Sequence, residues 1–172
     1  MGVSAALLIG AHLFERVGGL APCLLCLDQR EAHWAAFGAA AATMLAAKAF
    51  QERIMLVAAL GALMLIYLFS AGLAGFHAGV EWGFWDGPAA CAATGAGAPV
   101  LDISGEDILS SLSQAGPSGP SCEEAPWRLM GMSMAGYNAL ASLGLALIVG
   151  MGFRDAWRQN QDQGPFVIGQ TS

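Results

Sequence analysis

Apolar residues run through four stretches of this chain, at about residues 3–20, 27–47, 54–76 and 130–153, and polar residues collect between them. Each stretch approaches the roughly 20 residues needed to cross about 30 Å of hydrocarbon as a helix. The third is the cleanest, with no charge from Ile54 to Phe76. Glu15 and Arg16 interrupt the first near its end, and Arg30, Glu31 and His33 fall in the opening turns of the second. Small residues recur in the second (Ala35, Ala39, Ala42) and the fourth (Gly136, Ala139, Gly144). In lipid, where apolar burial gives helices no reason to associate, such positions let backbones approach closely. The pattern predicts an all-α membrane protein, a bundle of four transmembrane helices forming a single domain over residues 1–172.

The connections complete this picture. Residues 18–26 join the first two spans, and Lys48 to Arg53 join the second and third. A long loop, about residues 75–129 and rich in Gly, Pro, Ser and acids, separates the third from the fourth. Within it Ser104, Asp107, Ile103 and Ile108 are spaced as a capping box with a hydrophobic staple, and Ile108, Leu109 and Leu112 make an apolar stripe. A short amphipathic helix is expected there, packed on its own loop or lying among headgroups. Lys48, Arg53, Arg154 and Arg158 share one side, so the positive-inside rule makes that turn and both termini cytoplasmic. Loops 18–26 and 75–129 are then extracytoplasmic.

Composition agrees. Apolar residues make up 56% of the 172 and charged residues only 12%, outside the range of ordinary soluble domains. A formal net charge of −6 argues against nucleic acid as a partner. Leu20-Ala21-Pro22-Cys23 superficially resembles a lipoprotein cleavage site. With no basic segment ahead of the apolar stretch and three spans following, the stretch reads as a retained first span.

All four cysteines, Cys23, Cys26, Cys91 and Cys122, fall on the extracytoplasmic side, where disulfides persist. Cys23 and Cys26, three apart at a helix start, can close a small redox-active ring. The helix dipole and a nearby cation favour thiolate there. Arg30 follows Cys26 by about one turn and cannot lose its charge, so it is a candidate stabiliser of a thiolate, or a snorkelling interfacial arginine. A zinc site of four cysteines needs two close pairs, and only one is present. Two static structural disulfides remain a further reading. His77 and Glu81, one turn apart beside Trp82 and Trp85, are candidates for an interfacial proton-handling or ligand site.

Pro22-Cys23-Leu24-Leu25-Cys26-Leu27-Asp28-Gln29-Arg30 resembles the signature of the DsbB family. So do His77-Ala78-Gly79-Val80-Glu81-Trp82 ahead of Cys91, and Cys122-Glu123-Glu124-Ala125-Pro126-Trp127 leading into the fourth span. The similarity covers nearly the whole chain. It implies a bacterial inner-membrane thiol oxidase that reoxidises a periplasmic DsbA-like dithiol oxidase and passes electrons through two disulfides to a quinone, ubiquinone or menaquinone. Cys91 would then form the mixed disulfide with the partner and Cys122 would be its disulfide mate. Cys23 would exchange with Cys122, and Cys26 would face the quinone. Arg30 would stabilise the Cys26 thiolate and the reduced quinone, and His77 would line the quinone pocket. The best-known members carry Gln near the quinone where this chain has Glu81, a carboxylate able to accept a proton or to repel a quinol anion. A vitamin K epoxide reductase-like enzyme is a second reading, although that family's quinone-facing pair lies in a late span. A non-catalytic scaffold with structural disulfides is a third.

Overall fold

The computed structural model describes residues 1–49, 53–88, 91 and 120–162. Four helices carry the fold: α1 (Gly2–Arg16), α2 (Leu24–Ala49), α3 (Arg53–Glu81) and α4 (Met134–Asp162). A two-stranded antiparallel hairpin of β1 (Arg128–Leu129) and β2 (Met132–Ser133) leads into α4. The amphipathic helix expected around residues 104–112 lies outside the described residues. Helices α3 and α4 are long and apolar enough to cross a membrane.

The breaks between elements follow from local chemistry. Helix α1 ends at Gly18 and Gly19. A Cβ on Gly18 would come 2.6 Å from the Phe14 carbonyl oxygen, and Gly19 turns the chain at φ +67°. Glycine adopts that conformation without a Cβ penalty. The hairpin turns through Met130 (φ 51°) and Gly131 (φ 82°). Two successive positive φ values are the signature of the type I′ turn, whose twist suits a two-residue hairpin loop. The expected fourth span, 130–153, therefore begins later as helix, because its first residues make this hairpin and only then enter α4.

Packing is strongest along α3, which lies against both α2 and α4. Tyr67 is buried at the centre with Ala36 of α2 and Ala146 of α4. Its hydroxyl bonds to Ser4 Oγ of α1 at 2.8 Å. Ser70 and Ser142 bond across the α3–α4 seam at 3.0 Å. Small side chains permit this approach, and the hydroxyls satisfy one another where no water is at hand. Facing outward, Leu65, Phe69, Leu147 and Ile148 are exposed. A polar seam inside and apolar residues outside suit a chain solvated by lipid.

Candidate functional site

Cys23 stands immediately before α2, and its Sγ accepts the main-chain N–H of Cys26 at 3.3 Å. That is the N-cap arrangement, in which a side chain satisfies one of the donors left open by the first turn. The spacing of the two cysteines is thus also the spacing of a cap and its third helical residue. The two Sγ atoms lie 2.7 Å apart, and both cysteines are free thiols. Hydrogen bonding to Cys26 and burial push the Cys23 thiol up from its usual range, so Cys23 keeps its proton and negative charge collects on Cys26. Cys91 and Cys122 form a disulfide. It is buried in the same apolar cluster as Cys23, with Leu25, Val80 and Cys26 around it.

The end of α3 is shaped to bring Cys91 here. Gly83 (φ +71°) reverses the chain, and the Trp85 ring folds back over Gly79. It stacks on Phe76 with centroids 5.8 Å apart, while its Nε1–H donates to the Phe76 carbonyl at 3.0 Å. A Cβ on Gly79 would meet that ring at 2.0 Å. Gly87 then passes close to Val80 and the Cβ of Cys91.

A cavity of about 350 Å³ opens beside the pair, within the roughly 300–1,000 Å³ range of small-molecule sites. Its walls are mainly apolar, including Leu8, Phe14, Pro22, Trp127 and Tyr137, and Cys26, Arg30, His77 and Glu81 all reach it. Arg30 is already engaged. Its Nη1 pairs with Glu15 of α1, and its Nη2 donates to the Ala11 carbonyl at 3.2 Å. His77 Nε2 lies 3.6 Å from Cys23 Sγ and 3.8 Å from Glu81 Oε1. The ligating atoms of Cys23, Cys26 and His77 lie within 4.8 Å of one another, as a metal-binding group would. Glu81 is buried, accepts a hydrogen bond from Ser133 Oγ, and holds Arg128 Nη2 on its main-chain oxygen at 3.0 Å. Ser133 also caps α4, accepting the Gly136 N–H at 3.2 Å.

The structure therefore gathers all the singled-out residues, Cys23, Cys26, Cys91, Cys122, Arg30, His77 and Glu81, at one end of the bundle. Sequence reading does not single out Gln29, Asn138 or Ser133, yet all three make buried polar contacts there. Asn138 Nδ2 donates to Gln29 Oε1 at 2.7 Å, and Gln29 Nε2 meets His77 Nδ1 at 2.7 Å. One signal was available for Asn138: a lone amide in an apolar helix needs an internal partner. Glu15 and Arg30, two opposite charges in apolar segments, carried the same kind of signal.

A helical membrane bundle with a dithiol at a helix N-terminus, a second disulfide packed on it and a cavity alongside defines a membrane thiol–disulfide oxidoreductase. A family model described as disulfide bond formation protein DsbB matches residues 1–152, and the chain belongs to the DsbB family. Among curated proteins, no sequence matches it. The family is one of quinone-coupled inner-membrane proteins of disulfide bond formation that work with a DsbA-like thiol oxidase.

Proposed function

We propose that this chain reoxidises a periplasmic DsbA-like dithiol oxidase and delivers the electrons through its two cysteine pairs to a membrane quinone. The observation that carries the reading is the position of Cys26, in contact with Cys23 on one side and lining the Arg30–His77 cavity on the other. In the first exchange the partner's thiolate attacks Cys91, the Cys91–Cys122 bond breaks, and Cys122 leaves as a thiolate. The partner's second thiol then closes its own disulfide and releases Cys91. Cys122 attacks Cys23 when Cys23 and Cys26 are joined, and Cys26 leaves as the thiolate at the α2 N-terminus. Cys91 displaces Cys23 from Cys122, restoring the outer disulfide. This leaves Cys23 and Cys26 as the reduced pair. Two electrons have then moved inward, and the proton count matches that of the partner's lost dithiol.

The cavity suits a quinone ring by its size, its apolar walls and the presence of Arg30 and His77 in its lining. A bound quinone supplies the two-electron, two-proton acceptor that returns Cys23 and Cys26 to a disulfide. Arg30 contributes a fixed positive charge for developing negative charge. The apolar walls keep water from the sulfurs. The four-span topology with both termini cytoplasmic, read from the apolar stretches and basic residues, puts all four thiols in the periplasm. The test is turnover. The purified chain, given a reduced DsbA-like protein and a soluble short-chain quinone, is expected to bleach the quinone, and Cys26→Ser to abolish this. Unchanged turnover in Cys26→Ser overturns the reading.

A further inference from the structure

We infer that Gln29 and Asn138 are positioning residues that lock His77 as a hydrogen-bond donor toward the sulfurs and the cavity, an inference that rests on the quinone reading above for its functional consequence. Four side chains from three helices form one line. His33 Nε2 meets Asn138 Oδ1 at 2.7 Å, Asn138 Nδ2 meets Gln29 Oε1 at 2.7 Å, and Gln29 Nε2 meets His77 Nδ1 at 2.7 Å. His33, Gln29 and His77 are all buried.

Each amide has one donating and one accepting end, so the line runs one way only. His33 donates to Asn138, Asn138 to Gln29, and Gln29 to His77. Nδ1 of His77 is then an acceptor, and the neutral ring carries its proton on Nε2. That nitrogen faces Cys23 Sγ at 3.6 Å and Glu81 Oε1 at 3.8 Å.

The opposite polarity is disfavoured by the far end of the line. His33 Nδ1 is buried and meets no hydrogen-bond partner among the described residues. With both amides reversed, Asn138 would donate to His33 Nε2, forcing the proton onto Nδ1 and stranding a buried N–H. A stranded donor is the rarer and costlier defect; a bare acceptor there is tolerated more readily. The orphaned nitrogen of His33, at one end, thus helps fix the proton of His77 at the other.

With its proton on Nε2, His77 presents a donor rather than a lone pair to the neighbouring sulfur and to a carbonyl oxygen in the cavity. A donor aimed beforehand at the place where charge develops costs no reorganisation during reaction.

Asn138→Asp tests the lock without touching His77. Its carboxylate accepts from both His33 and Gln29, so Gln29 must present Oε1 to His77, and the His77 proton moves to Nδ1. The chain has three histidines, and His12→Gln removes the half-exposed one from the spectrum. Long-range ¹H–¹⁵N correlation of the histidine-labelled protein is expected to show both buried rings protonated at Nε2 in the parent. In Asn138→Asp one of them should switch to Nδ1. Quinone reduction by the pre-reduced variant should slow by about tenfold or more. A parent ring with Nδ1–H at His77, or an unchanged pattern in Asn138→Asp, overturns the inference. The parent spectrum needs neither the variant nor turnover, so a parent that locks His77 but fails to reduce quinone overturns the proposed function alone.

Discussion

Ser133 Oγ donates to the carboxylate of Glu81 while accepting the main-chain N–H of Gly136, so one hydroxyl ties the end of α3 to the start of α4. The hairpin of β1 and β2 exists to deliver that serine: its turn at Met130 and Gly131 reverses the chain just ahead of the helix.

Ser133→Ala is therefore expected to cost about 1–3 kcal/mol, combining a lost helix cap with a buried carboxyl left without its donor. Ser133→Thr should retain most of the stability. Thermal unfolding in detergent measures both, and an alanine variant as stable as the parent would falsify this linkage.

Cys23 caps α2 as well as carrying chemistry, and two substitutions separate those roles. Serine is a good cap and alanine is not, so Cys23→Ser should be about 1 kcal/mol more stable than Cys23→Ala. Both should lose turnover completely. Equal unfolding midpoints for the two variants would remove the capping role.

In the reduced protein the proton stays with Cys23, which is also the more buried of the pair. Thiolate is the reactive form. Brief treatment with iodoacetamide near neutral pH should therefore label Cys26 first, and labelling of Cys23 should lag as pH rises toward about 8.5, the ordinary thiol range. Peptide mapping that finds Cys23 labelled first contradicts the assignment.

Arg30 and Glu15 should act in opposite directions. Arg30→Met removes the fixed charge beside the cavity and is expected to raise the half-saturating quinone concentration by about tenfold or more. Glu15→Gln removes the carboxylate that now holds the guanidinium and should lower it. Steady-state quinone titrations read both, and a shift of the same sign in the two variants rejects the competition.

Partner exchange at Cys91 predicts the reverse step in Cys122→Ser. Given the oxidised partner, the Cys91 thiolate opens the partner's disulfide, frees one partner thiol and accumulates a mixed disulfide through Cys91, visible on a non-reducing gel and located by thiol mapping. If the partner is found on Cys23 instead, the order of exchange is wrong.

The helical class, the apolar stretches, the redox pair and the family resemblance are all legible in the order of residues. Those signals are local: apolar runs are contiguous, and Cys23 and Cys26 meet because the N–H that a helix cap accepts lies three positions further on. His77 and Glu81 were legible for the same reason, one turn apart on one helix. What lies between such groups depends on how the helices pack. Asn138 and Gln29 are 109 residues apart, and nothing in either neighbourhood names the other. Glu15 and Arg30 were visible as charges in apolar segments, but their pairing depends on how α1 lies against α2. The turn and second strand of the hairpin were hidden in the opening of an apolar run that reads as helix, because their signal rests on two backbone angles at Met130 and Gly131. Burial explains the difference: polar groups removed from water must find partners wherever the packing brings them, and packing is a property of the whole chain.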